Sequence, residues 1–185
     1  MLLARVPEGG RSLRRLTDAV AQRIARFDGR LRVTTVDRRS GRRVVFGAPG
    51  APEASVADAV TASCSIPSVF RPVTIGGREY VDGGVWSMTN LDVALVGRGT
   101  EVLCLNVIAG VPAPLGTPLG LMRAGARAAE TVETQALRSR GASVRVIGPD
   151  AASVAAIGGR LMDDRRAPGA LAAGYRQGVA LGREG

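Results

Sequence analysis

The 185-residue sequence contains no histidine and no lysine, so all 25 of its basic residues are arginines. The absence of histidine excludes a Ser-His-Asp or Cys-His nucleophile within this chain, and it excludes histidine-based zinc sites. The absence of lysine excludes a Schiff-base lysine, a Ser-Lys pair and the lysine of a P-loop. Acid–base chemistry would therefore rely on carboxylates, thiols, phenols or the chain amine.

Cysteine and aromatic residues are also scarce. Cys64 and Cys104 are too far apart for a disulfide framework or a CxxC motif, so we expect two buried free thiols, as in a reducing compartment. Six aromatic residues offer few stacking platforms for single-stranded nucleic acid. We expect no nucleic-acid partner, no cofactor and no metal. The net charge of +9 fits either a compositional bias towards arginine or contact with an anionic membrane surface.

Neither a signal peptide nor a membrane span is indicated. Arg5 and Pro7 interrupt the N-terminal residues before a signal-peptide core could form. The most apolar region, 102–122, is broken by Asn106 and by three prolines. The sequence therefore predicts a cytoplasmic protein, with peripheral membrane contact left open.

Helical and strand-like segments alternate along the chain, which predicts an α/β layered fold. The apolar run 101–108 is typical of a parallel strand that is covered on both faces. Only two further segments, 31–36 and 143–147, look comparably buried, which is few for a doubly covered sheet. Strands are predicted at 31–36, 44–46, 72–75, 78–81, 101–108 and 143–147; helices between Ser12 and Gly29, from Ser55 to before Pro67, and at 117–140, 151–161 and 169–181, with one or two helical turns at 90–96.

The segment Tyr80-Val81-Asp82-Gly83-Gly84 combines a carboxylate with two glycines where a predicted hairpin strand ends. Glycines allow the backbone to come close to a substrate, and a strand-end carboxylate can act as a general base. The same three residues, Asp82, Gly83 and Gly84, also suit an ordinary turn. The residues around them favour the first interpretation.

These surroundings form a long ordered pattern that resembles the patatin-like phospholipase family. The resemblance implies a three-layer α/β/α sandwich that hydrolyses acyl ester bonds of lipids with a Ser-Asp dyad and no histidine. It places the catalytic carboxylate at Asp82, with Gly83 and Gly84 completing the motif. It is carried by Ala-Ser-Cys-Ser-Ile-Pro-Ser-Val-Phe-Arg-Pro-Val at 62–73, Gly-Arg-Glu-Tyr-Val-Asp-Gly-Gly at 77–84 and Ser-Met-Thr-Asn at 87–90.

The sequence departs from the family in lacking its nucleophile segment. No G-x-S-x-G occurs: the segments 10–14 and 141–145 each have the first glycine and the serine but not the second glycine. The glycine-rich loop that would form the oxyanion hole is missing too. In the family both lie N-terminal to the matched region. We therefore expect residues 1–185 to be the C-terminal portion of a single patatin-like domain, N-terminally incomplete and without a nucleophile of its own.

Other candidate residues have simpler interpretations. Ser63, Cys64 and Ser65 fit close packing at the end of a short helix better than nucleophilic attack. Asp37 fits a turn better than a ribose contact, because no G-x-G-x-x-G precedes it. Asp163 and Asp164, followed by two arginines, fit a solvated charged segment better than a metal pair.

Two functional classes stay open at this point. The first is an acyl-ester lipid hydrolase of the phospholipase A or lysophospholipase kind, acting on an acyl lipid or phospholipid, of which this chain supplies Asp82. The second is a catalytically inactive remnant that acts as a basic module at anionic membrane surfaces.

Overall fold

Two separate β-sheets are present in the described part of the chain. The structure, a computed structural model, describes residues 3–23, 25–107, 109–110, 118–159 and 163–183. One sheet is antiparallel with the strand order β2-β1-β4-β3, and the other is a parallel pair of β5 and β6. The strands are β1 (Val33–Asp37), β2 (Arg43–Phe46), β3 (Val73–Ile75), β4 (Arg78–Asp82), β5 (Glu101–Leu105) and β6 (Ser143–Ile147).

Five α-helices accompany these strands within the described residues, so the predicted α/β class is confirmed. Short 3₁₀ turns lie at Leu3–Arg5, Gly83–Val85, Leu91–Val93 and Asp164–Arg166. The turn at Leu91–Val93 replaces the longer helical segment predicted at 90–96. The helices are α1 (Arg14–Ala21), α2 (Val56–Ser63), α3 (Pro118–Ser139), α4 (Ala151–Ile157) and α5 (Ala167–Arg183).

Several local sequence signals give the structure that they predict. Gly76 and Gly77 both have positive φ, +56° and +74°, as a two-residue turn between β3 and β4 requires. Ser55 caps α2 by accepting a hydrogen bond from the Asp58 N–H at 3.0 Å. At the end of α3, Gly141 adopts φ +87° and donates its N–H to the Arg138 carbonyl at 2.9 Å.

The first helix is shorter than its apolar spacing predicts. It ends at Ala21, whereas the spacing continues to Phe27. The Phe27 ring instead packs on the core beneath β2, where a side chain on Gly47 would meet its Cδ1 at 2.6 Å. Tertiary packing of one aromatic ring therefore overrides helical periodicity. Ile24, the preceding apolar position, lies outside the described residues.

Two apolar cores hold the described elements together. The first joins α2 to the antiparallel sheet and contains Phe46 against Tyr80, with ring centroids 5.2 Å apart and edge to face. The second joins α3 to the parallel pair through Leu137, Cys104 and Val144. Asp82 therefore lies at the end of a strand that the first core anchors.

Among the described residues, the parallel pair is well covered on one face only. Its parallel register, Glu101 with Ser143 through Leu105 with Ile147, agrees with the predicted strands. The prediction that 101–108 is covered on both faces is wrong for the described residues, because Leu103, Leu105 and Val107 are 59%, 65% and 69% exposed. The predicted strand 31–36 is also not part of this sheet, since β1 pairs antiparallel with β2 and β4.

We expect this uncovered face to make the chain self-associate when it is expressed alone. Burying a large apolar side chain contributes roughly 1.5–3 kcal/mol, so an exposed row of them favours association. Size-exclusion chromatography with light scattering should show oligomers or insoluble protein, and Leu103→Thr/Leu105→Thr should shift the chain towards monomer. Leu95→Thr, at a similarly exposed leucine off this face, should not. A monodisperse wild-type monomer would contradict the expectation.

Candidate active site around Asp82

Asp82 is placed by β4 and by the chain that follows α2. It is the last residue of β4 and lies opposite Thr35 of β1 in the antiparallel register. Its backbone N–H donates to the Ser65 carbonyl at 3.0 Å. Its carboxylate accepts the Gly84 N–H at 2.7 Å, which caps the 3₁₀ turn of Gly83–Val85. The backbone of Asp82 is therefore fixed by Ser65, and its carboxylate is fixed by the Gly84 N–H.

The electrostatic surroundings of Asp82 raise its affinity for a proton. Burial raises the pKa of the Asp82 carboxyl above its ordinary value, and the Gly84 N–H only partly offsets this effect. Within the described residues no arginine forms an ion pair with it. A mostly buried carboxylate without a cationic partner can accept a proton during catalysis more readily than an exposed one.

Both glycines of the motif are required by close contacts. A Cβ on Gly83 would overlap the Thr34 carbonyl of β1 and lie 2.8 Å from the Thr34 hydroxyl oxygen. A Cβ on Gly84 would lie 2.9 Å from the Asp82 Oδ1 and 3.4 Å from the Met88 sulfur. Gly83 is thus fixed against backbone, whereas Gly84 is fixed against the carboxylate itself.

The serines and the cysteine near Asp82 are not arranged as nucleophiles. Ser63 ends α2. Ser65 is buried and donates its hydroxyl to the Thr61 carbonyl at 2.8 Å. Cys64 is exposed rather than buried as predicted, because Ser65 takes the inward position after the helix. Partial withdrawal from water and the nearby Asp82 charge raise the pKa of the Cys64 thiol, which keeps it protonated.

The remaining sequence candidates have local structural roles. Asp37 is buried in the β1–β2 turn, where it accepts the Ser40 N–H at 2.8 Å and a bond from Arg78 at 3.2 Å. Burial works to raise the pKa of Asp37, but these bonds outweigh it and lower the pKa. Asp163 caps the turn Asp164–Arg166. Among the described residues, no three His, Cys, Asp or Glu side chains are grouped closely enough to hold a metal ion.

A group of polar residues behind the Asp82 turn was not foreseen as a unit. Arg43 of β2 pairs with Asp92 and also donates to the Asn90 Oδ1. The Nδ2 of Asn90 in turn donates to the Gly83 carbonyl at 3.2 Å. Glu133 of α3 accepts the Leu91 N–H at 2.8 Å. Asn90 belongs to the sequence motif, but Arg43 lies 47 residues away from it, and Glu133 lies 42 residues away from Leu91. No local pattern links residues at such distances.

The fold and the site together define an α/β protein whose buried carboxylate, set at a Gly-Gly turn, is suited to general-base chemistry. Residues 7–95 match the family model of patatin-like phospholipase. The match contains the whole motif from Ala62 to Asn90, so the resemblance seen in the sequence is confirmed. No curated protein matches the chain. Within the described ranges, no helix has the length and apolar character needed to cross a bilayer.

Proposed function

We propose that this chain supplies the general base of a lipid acyl-ester hydrolase of the phospholipase A or lysophospholipase kind, and that the base is Asp82. The observation that carries the proposal is a mostly buried Asp82 carboxylate without a cationic partner among the described residues. It lies at the Asp-Gly-Gly turn within the patatin-like segment.

In this mechanism Asp82 moves one proton in each half of the reaction. Its carboxylate takes the proton of a serine hydroxyl while the serine oxygen bonds to the ester carbonyl carbon. When the bond to the leaving alcohol breaks, Asp82 gives that proton to the leaving oxygen. Water then attacks the acyl-serine, Asp82 accepts a proton from the water, and the serine oxygen regains it as the fatty acid leaves.

The serine comes, in this proposal, from a G-x-S-x-G segment outside residues 1–185. The sequence has no such segment, and the nearest alternatives, Ser65 and Cys64, are respectively bonded to backbone and held as a thiol. The oxyanion hole is likewise assigned to a glycine-rich loop outside this chain. The proposed site is therefore completed by residues that this chain lacks.

The same proposal extends to the fold. Residues 1–185 form the C-terminal portion of one patatin-like three-layer α/β/α domain, and the parallel pair β5–β6 is part of its central sheet. The uncovered apolar side chains Leu103, Leu105 and Val107 support this, because strands or helices of the remaining portion would bury them. Completion of the domain would join the nucleophile to Asp82.

The proposed partner, besides the acyl lipid or phospholipid substrate, is an anionic membrane surface met from the cytoplasm. The formal charge of +9, carried entirely by arginine, supports attraction to such a surface. If Asp82 proves to have no catalytic role, this charge favours the second candidate, an inactive basic module at membranes. Flotation with phosphatidylcholine vesicles, with and without phosphatidylglycerol, measures that attraction.

We expect the chain alone to show no Asp82-dependent ester hydrolysis. Removal of single members of a serine-protease triad costs on the order of 10⁴–10⁶ in kcat. The purified chain and its Asp82→Asn variant should therefore hydrolyse a short-chain nitrophenyl ester at the same background rate. Turnover by the wild-type chain that the variant loses would place a working serine within residues 1–185 and refute the assignment of the nucleophile.

A further inference from the structure

Asn90 holds the Asp-Gly-Gly turn from behind. Its side-chain Nδ2 donates to the carbonyl of Gly83 at 3.2 Å and to the carbonyl of Ser87. Its backbone N–H donates to the Ser87 hydroxyl oxygen at 3.2 Å. Asn90 is buried and left-handed, with φ +46°, a conformation that asparagine tolerates better than most residues. One amide thus ties both ends of the segment 83–87 together.

Arg43 fixes which way this amide faces. Its Nη1 donates to the Asn90 Oδ1 at 3.2 Å and to the Asp92 Oδ1 at 2.7 Å, while Nη2 donates to Asp92 Oδ2. A guanidinium has only donors, so the amide oxygen must face Arg43 and the amide nitrogen must face the two carbonyls. Trp86 covers the guanidinium, with Cζ 5.4 Å from the ring centroid.

Glu133 fixes the residues on either side of Asn90. Its Oε2 accepts the Thr89 hydroxyl at 2.7 Å and the Leu91 N–H at 2.8 Å. Because Glu133 lies on α3 and Arg43 lies on β2, the segment 83–93 is tied to both apolar cores of the protein. A turn held by several such bonds keeps its conformation when one exposed contact breaks.

We propose that Asn90, oriented by Arg43 and Asp92, is a positioning residue for the base Asp82. It holds the Gly83 carbonyl so that the Gly84 N–H stays bonded to the Asp82 carboxylate and the carboxylate stays withdrawn from bulk water. The inference rests on the proposed function for its catalytic meaning, and on the hydrogen bonds of the described residues for its structure. Asn90 itself does not touch substrate.

The first experiment measures amide exchange and needs no activity. Asn90→Gly keeps a left-handed backbone accessible but removes both amide donors. Hydrogen exchange followed by mass spectrometry on the full chain should show the peptide containing Gly84 exchanging about threefold to tenfold faster, the range expected for loss of one or two hydrogen bonds. Arg43→Met should act similarly. Arg42→Met, at the exposed neighbouring arginine, is the matched control and should leave exchange unchanged.

The second experiment distinguishes positioning from general stability in a completed, active protein. With Asn90→Gly, kcat should fall by about 10–100-fold with little change in KM. The acid limb of the rate should move to lower pH, because access of water removes the burial that raises the pKa of Asp82. Loss of the Gly84 N–H bond acts in the opposite direction but is the smaller effect. Arg43→Met, which releases the Asn90 amide, should move the acid limb in the same direction. The role of Asn90 is refuted if Asn90→Gly keeps wild-type exchange at Gly84 and a wild-type acid limb. The proposed function is refuted instead if Asp82→Asn does not reduce activity.

Discussion

Replacing Asp82 with Asn is expected to lower ester hydrolysis by about 10²–10⁴-fold, the range over which a general base contributes. The measurement requires residues 1–185 joined to a family segment that carries G-x-S-x-G. Asn retains an oxygen that can accept the Gly84 N–H, so the turn is kept, but the amide does not accept a proton at working pH. The expected loss is therefore in kcat, with circular dichroism unchanged.

The pH dependence of the wild-type rate should report the same carboxylate. Because burial raises the pKa of Asp82, the acid limb should lie above the ordinary range of an aspartate, near 3.9. Below that limb the base is protonated and the rate falls. Glu79→Gln is the matched control, since Glu79 lies on the same strand, is exposed and pairs with Arg38. An Asp82→Asn variant that keeps more than about a tenth of wild-type kcat would remove Asp82 from the role of base.

Gly83→Ala is expected to damage both stability and activity. The added Cβ would overlap the Thr34 carbonyl, which is backbone of the central strand β1 and cannot move aside without disturbing the sheet. Overpacking of this kind typically costs about 1–3 kcal/mol of folding free energy. Displacement of the turn would also move the Asp82 carboxylate, and a shift near 1 Å can cost about 10²-fold in rate.

Two other glycine variants, Gly84→Ala and Gly174→Ala, serve as comparisons for Gly83→Ala. In Gly84→Ala the new Cβ meets the Asp82 carboxylate and the Met88 side chain, which can shift, so activity should fall more than the free energy of unfolding. In Gly174→Ala, within α5, the Cβ meets nothing within 4 Å, and helix propensity should stabilise the protein slightly. Urea unfolding and ester kinetics in the completed protein measure all three. A Gly83→Ala variant as stable and active as wild type would contradict the contact with Thr34.

Sequence reasoning succeeds here where the controlling interactions are local. The β3–β4 hairpin follows from Gly76-Gly77, the start of α2 from Ser55 and Asp58, and the end of α3 from Gly141, because each signal acts within a few residues. The patatin-like segment is recognisable because its motif is an ordered string of such local features.

The remaining features depend on long-range contacts that periodicity does not encode. An apolar run such as 101–108 is compatible with a strand covered on one face or on both, and only the packing of α3 decides which. The ion pair of Arg43 with Asp92 joins positions 49 residues apart. Its role at the site follows from the strand order, in which β1 lies between β2 and β4, and no single segment specifies that order.

The most direct test of the account is the rate at which a fluorophosphonate probe labels the completed protein. Such a probe phosphonylates a serine only when a base removes the hydroxyl proton. The labelling rate therefore measures activation of the nucleophile and does not depend on product release. With Asp82 as the base, the adduct should form on the serine of G-x-S-x-G, and Asp82→Asn should slow labelling by about 10²-fold or more while Glu79→Gln does not. Equal labelling rates in the wild type and Asp82→Asn, or an adduct on a serine within residues 1–185, would contradict it.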